Sequence, residues 1–88
     1  MNSRTALFNE LFDHVREEQG MKKAQMAKAI GMTVPHLWRL RNQERGVGDT
    51  MLRRFAVAFP EYRTAIERLW IATEKELDTM TLYDLLEE

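Results

Sequence analysis

Two glycines, Gly20 and Gly31, interrupt a helical spacing of apolar residues that would otherwise run on through the first half of the chain. The second break is the more constraining. From Lys22 to Asn42 the sequence reads KKAQMAKAIGMTVPHLWRLRN. Met26, Ala27 and Ile30 lie before the break at spacings that share one helix face, and Leu37 and Leu40 form a pair three apart after it. Met32 follows the glycine and can fill the corner, and Gly31 tolerates the positive φ that a tight turn requires. Ala27 is small enough to let a second helix cross closely. The segment is thereby limited to two short helices packed across a turn, a helix-turn-helix. The second of them turns polar and aromatic side chains outward with no core to receive them.

The remaining segments also read as helices, and no stretch shows strand alternation. Helix 1 is expected to start after Asn2 or Ser3 and to run to about Gln19, with Leu7, Phe8, Leu11, Phe12 and Val15 as its apolar stripe and Gly20 ending it. Helix 2 spans roughly Lys23 to Ile30. Helix 3 runs to about Asn42, capped by Thr33, with Pro35 in its first turn. Asp49 or Thr50 is expected to cap helix 4, which carries Leu52, Phe55, Ala56 and Phe59 inward. Pro60 opens helix 5, which fades near Leu77, and Thr81 with Asp84 resembles a capping box for a short final helix. The predicted fold is all-α: a compact bundle of about five helices, with the helix-turn-helix at helices 2 and 3, plus a short C-terminal helix. Residues 1–88 are read as one domain, since 88 residues support a single core.

Composition narrows the function. No cysteine is present, so neither a disulfide framework nor a thiolate metal site is available. His14 and His36 have no partners at metal-ligand spacing, and no nucleophile–base pair or phosphate loop is visible. No enzyme activity, cofactor, metal or small-molecule substrate is therefore expected. No apolar run approaches a membrane span and the N-terminus lacks a secretory pattern, so a cytoplasmic location is expected. The net charge is −1, but its distribution is uneven. From Lys22 to Arg54 eight basic residues stand against Glu44 and Asp49, a surplus of six positive charges. From Pro60 to Glu88 three basic residues stand against eight acidic ones, a surplus of five negative charges. The middle of the chain suits phosphates and the last third repels them.

The motif resembles the lambda-repressor and Cro-like (XRE-type) helix-turn-helix family of DNA-binding proteins. The likeness covers about Leu7 to Phe59 and rests on Gln19-Gly20 before helix 2, Ala27, Gly31, the apolar residues at 32, 37 and 40, and the apolar helix 4 LRRFAVAF. Two positions depart from the family pattern. Lys22-Lys23 stand where members often carry Thr-Gln, which implies phosphate contacts by point charge. Arg41 stands where a glutamate is frequent, which removes the anionic half of the usual local salt bridge.

The resemblance implies that the outward face of helix 3 enters the major groove of double-stranded DNA. Pro35, Trp38, Arg39 and Asn42 fall at i, i+3, i+4 and i+7, opposite Leu37 and Leu40. With Thr33 and Val34 they are the candidate base-contacting residues. Arg39 leads, because guanidinium bonds guanine O6 and N7 together; Asn42 suits adenine or a phosphate, Val34 a thymine methyl and Thr33 a phosphate. Trp38 could equally pack sideways on helix 2 or at a dimer contact. Lys22, Lys23, Lys28, His36 and Arg45 are the candidate phosphate contacts, with simple solvation the alternative for Lys28.

Such a helix makes few contacts alone, so a homodimer on paired half-sites is expected. Tyr62, Ile66, Leu69, Trp70, Leu82, Tyr83, Leu85 and Leu86 are the candidate dimer interface, within a dimerisation segment 60–88. The alternative is that the tail folds back over helix 1. The expected function is a sequence-specific transcriptional regulator, a dimeric repressor of phage or mobile-element type on a palindromic operator. With no room for a separate sensing domain, regulation would come through concentration or a protein partner. Two other functions fit the same residues. One is an antitoxin or restriction-modification controller-type autoregulator that also binds a protein. The other is a protein-interaction module without DNA binding.

Overall fold

A computed structural model describes residues 3–87, and among these every regular element is helical. The first helix, α1 (Ser3–Gln19), buries Leu7, Phe8, Leu11, Phe12 and Val15 along one stripe, as their spacing predicts. Asn2, one of the two candidate caps, lies outside the described residues.

Helices α1, α2 (Lys23–Ala29) and α3 (Val34–Arg41) end in the same way. Each is followed by a residue of positive φ: Gly20 at +63°, Gly31 at +68° and Gln43 at +57°. Past each helix two backbone N–H groups turn back onto otherwise unpaired carbonyls. Met21 donates to Arg16 O and Gly20 to Glu17 O; Met32 to Ala27 O and Gly31 to Lys28 O; Glu44 to Arg39 O and Gln43 to Leu40 O. This is the Schellman arrangement, in which a left-handed residue lets the chain leave the helix with its last carbonyls satisfied. The third instance uses Gln43 where the first two use glycine.

Helix α4 (Asp49–Ala58) begins one residue earlier than expected. Gly48 is its cap, without a side-chain hydrogen bond, and Asp49 lies in its first turn, where the helix dipole favours a carboxylate. It stops at Phe59 (φ −128°, ψ 73°), because Pro60 excludes α conformation in the residue before it.

The single helix expected from Pro60 to Leu77 is instead three elements: a 3₁₀ turn (Pro60–Tyr62), α5 (Arg63–Ile71) and α6 (Glu74–Leu77). Two contacts account for the break. Thr73 and Glu76 form a capping box, with Thr73 N donating to Glu76 Oε1 (3.0 Å) and Glu76 N to Thr73 Oγ1 (3.2 Å). Arg4 of α1 donates to Ala72 O (2.8 Å) and Leu69 O (3.2 Å), carbonyls that the end of α5 leaves free. The last helix, α7 (Leu82–Leu86), is capped as expected: Thr81 N donates to Asp84 Oδ2 (2.9 Å) and Asp84 N to Thr81 Oγ1 (3.2 Å).

The helices enclose one core cluster. Phe8 meets Phe55 edge-on at 5.5 Å between ring centroids, and Phe55 meets Phe59 at 5.1 Å, joining α1 to α4. Ile66, Leu69, Leu77 and Leu85 are also buried in it, and α7 packs on α5 and α1. The tail therefore folds back within one chain. Among the described residues no helix is long and apolar enough to cross a membrane.

Candidate nucleic-acid interface

Leu37 and Leu40 fix the rotation of α3, being 4% and 0% exposed beneath it. With those two in the core, Thr33, Val34, Pro35, Trp38, Arg39 and Asn42 all emerge on the outer face. The structure thus brings together all six residues expected to meet bases. Thr33 accepts a hydrogen bond from His36 N at 3.3 Å and so caps α3.

The position of α3 along the core is set by α1. Asn9 and Asp13 lie four apart on one face of α1, and Asn9 Nδ2 donates to Leu40 O at 3.0 Å. Arg41 donates to both oxygens of the Asp13 carboxylate, at 2.7 Å for the Nη1–Oδ2 contact. Its guanidinium also lies over the Phe12 ring, 5.1 Å from the centroid. Arg41 thus has an anionic partner on another helix. The hydrogen bonds from Arg41, with the positive charges of Arg41, Arg16 and Lys23, hold the Asp13 carboxyl below its ordinary pKa of 3.8.

The expected phosphate contacts differ in their surroundings. Lys22, Lys23 and Lys28 are exposed on and before α2, where Gln25 Oε1 accepts from Lys22 N at 2.8 Å and starts the helix. His36 is half-buried beside a cavity of about 370 Å³ that Gly31, Leu40, Arg45, Arg54, the loop 46–48 and the first turn of α4 also line. Burial, then the charges of Arg45 and Arg39, push its imidazole below the usual 6.5. Arg45 is exposed.

The sequence reading missed Arg54 as part of this region. Its Nη1 donates to Gly31 O at 3.3 Å, placing a cation of α4 against the turn between α2 and α3. Membership of the basic segment was its one signal; proximity to Gly31, 23 residues away, is a tertiary fact. The loop after α3 is also tied down, as Val47 N donates to the buried Thr5 Oγ1 at 3.0 Å.

The candidate dimer residues divide into three groups. Ile66, Leu69 and Leu85 are at most 1% exposed and close the chain's own core, so they are not surface and the expectation for them is corrected. Tyr62, Trp70, Leu82 and Leu86 are half-buried against that core. Tyr83 is 75% exposed. The reason is a tertiary contact: Arg68 draws the short α7 onto α5 by donating to the carbonyls of Asp84 and Leu85 (3.2 Å each) and of Glu87. Among the described residues no group of three or more His, Asp or Glu side chains could hold a metal ion. No protein-family model, curated protein or solved structure matches this chain.

Proposed function

We propose that this protein is a sequence-specific DNA-binding transcriptional regulator that places α3 in the major groove. The observation that carries this reading is the outward set Thr33, Val34, Pro35, Trp38, Arg39 and Asn42 on a helix that Leu37 and Leu40 hold in one rotation. An exposed helix face of this kind suits base edges, and Lys22, Lys23, Lys28 and Arg45, exposed on the segments before and after it in the chain, suit phosphates. Arg39 is the candidate for a bidentate guanine contact and Asn42 for adenine.

The His36 imidazole can donate a hydrogen bond to a phosphate oxygen, and Arg54 adds a cation at the same cavity. The proposal includes a homodimer on a palindromic operator, acting as a repressor of the phage or mobile-element kind. Its interface would be built from the exposed part of the 60–88 segment, not from its buried leucines. The apolar residues Val57, Ile71 and Tyr83 stand 77%, 81% and 75% exposed, which favours a second reading beside the first. In that reading an autoregulator of the antitoxin or controller kind also holds a protein partner.

The test is fluorescence anisotropy with DNA from upstream of the gene and with a scrambled duplex, at two salt concentrations. Binding is expected to weaken steeply with salt and to prefer the upstream sequence. Equal affinity for both duplexes overturns sequence reading, and no binding at low salt overturns the DNA assignment in favour of a protein-interaction module.

A further inference from the structure

The outer side of α4 carries an apolar crest with a groove on either side. Val57, in the last turn of α4, is 77% exposed. One groove, of about 480 Å³, runs between α4 and α5 over the buried Ile66 and the half-buried Trp70. The other, of about 310 Å³, runs between α4 and the end of α2, along Ala29, Ile30 and Ala58. Val57 and Arg53, four apart on one helix face, line both grooves and so form the ridge between them. A ridge between two grooves is the shape that a further helix packs across, because its own rows of side chains enter the grooves.

The charges beside the grooves select the occupant. Arg54 lines the groove beside α2, and Arg63 the groove beside α5. Glu67 is the one acidic residue among the lining side chains, and Arg63 already holds it at 3.0 Å. Among the described residues Arg53 has no ion-pair partner, and Arg54 bonds only the carbonyl of Gly31. The face is apolar along its crest and positive beside it, which complements an apolar stripe bordered by carboxylates.

A second copy of this chain does not supply such a stripe. A symmetric contact would set the arginines of this face against themselves. The acidic end of another copy has its leucines engaged: Leu85 is 1% exposed in its own core, and Leu82 and Leu86 pack against that core, which leaves Tyr83 on α7. A duplex has phosphates for the arginines, but its charged backbone has no apolar stripe for Val57 and Trp70.

We infer that the face around Val57 docks an acidic amphipathic helix of another protein, with apolar side chains in the two grooves and carboxylates on Arg53, Arg54 and Arg63. The inference deepens, and rests on, the reading in which the chain also holds a protein partner. It does not depend on what α3 contacts.

The experiment selects binders of the full chain from a displayed library of randomised helical peptides of about 16 residues. The enriched peptides are expected to carry apolar residues at i, i+3 or i+4, and i+7, with a surplus of Asp and Glu. One of them, labelled and titrated by fluorescence anisotropy, is expected to lose affinity about five- to tenfold with Val57→Gln and about tenfold with Arg53→Glu. Both substitutions lie at exposed positions and are expected to retain the circular dichroism of the parent. Exchanging the peptide's carboxylates for lysine one at a time is expected to restore binding to the Arg53→Glu chain at one position.

Enriched peptides that are neutral or basic overturn the inference. So do acidic peptides that bind the parent, Val57→Gln and Arg53→Glu chains alike. Such a peptide released instead by Tyr83→Ser places the docking site on α7, which overturns this face and leaves the partner reading standing. Self-association in the ultracentrifuge that Val57→Gln abolishes assigns the face to a second copy and overturns the inference as well. A library from which no peptide is enriched overturns it together with the reading beneath it.

Discussion

Asp13 of α1 and Arg41 of α3 form a two-pronged ion pair, with the guanidinium also lying over the ring of Phe12. The pair links the helix at the centre of the core to the last turn of the helix that carries the candidate base contacts. Asp13→Ala would leave Arg41, whose side chain is 19% exposed, without its carboxylate. The expected cost is about 1–2 kcal/mol, reduced by the partial exposure of Asp13 and measurable by urea unfolding. Because the folded pKa of Asp13 lies below 3.8, the pair stabilises the fold above that pH and loses its contribution as the pH falls through the folded value. The stability gap between parent and Asp13→Ala should therefore close in acid below pH 3.8. A gap that persists unchanged would show that the pair is not its source.

The three Schellman ends allow a graded comparison. Gly20→Ala places a methyl group in open space at φ +63°, so backbone strain of about 1 kcal/mol is the whole expected loss. Gly31→Ala adds a contact of 3.2 Å with Arg54 Nη1, so it should cost more, with the excess removed by Arg54→Ala. Gln43→Gly relieves left-handed strain at φ +57° and should raise stability by about 0.5–1 kcal/mol. Thermal unfolding of the four variants checks the order.

Arg39→Ala should weaken the selected operator by about 1–3 kcal/mol while leaving scrambled DNA nearly unaffected. Lys22→Ala and Lys23→Ala should weaken both duplexes alike and each lower the salt slope by about 1. A uniform loss in Arg39→Ala would move that residue to the phosphate group.

His36 supplies a pH dependence with opposite signs for folding and for binding. Its folded pKa lies below 6.5, so the unfolded chain takes up the proton more readily and stability should decline as the pH drops below 6.5. A phosphate beside the imidazole favours its charged form, so DNA binding takes up a proton and affinity should rise over the same interval. His36→Gln should flatten both profiles. A parent affinity independent of pH between 5 and 7 would separate His36 from the DNA backbone.

Ile66→Ala and Leu85→Ala should each cost about 2–5 kcal/mol, because both side chains are buried within one chain. The loss should not depend on protein concentration. A concentration-dependent midpoint shift would return these residues to an interface.

The sequence by itself determined the segment from Gly20 to Gln43 closely. Left-handed residues, the Thr33 cap and a three-residue leucine spacing act over a few positions, so periodicity and φ preference suffice to say which face of α3 is inward. The outward face of α3 was legible for the same reason. The Thr73–Glu76 box was equally local, and overlooking it merged α5 and α6 into one helix. What only the tertiary structure decided depends on segments distant in the chain. Arg4 reaches the carbonyls that end α5, Arg68 draws α7 down, Asp13 answers Arg41, and Arg54 leans on Gly31. An amphipathic stripe states that a face will be buried but not what will cover it. The leucines of the last third were readable as an interface from their pattern alone, and packing against α1 and α5 made three of the residues there part of the core.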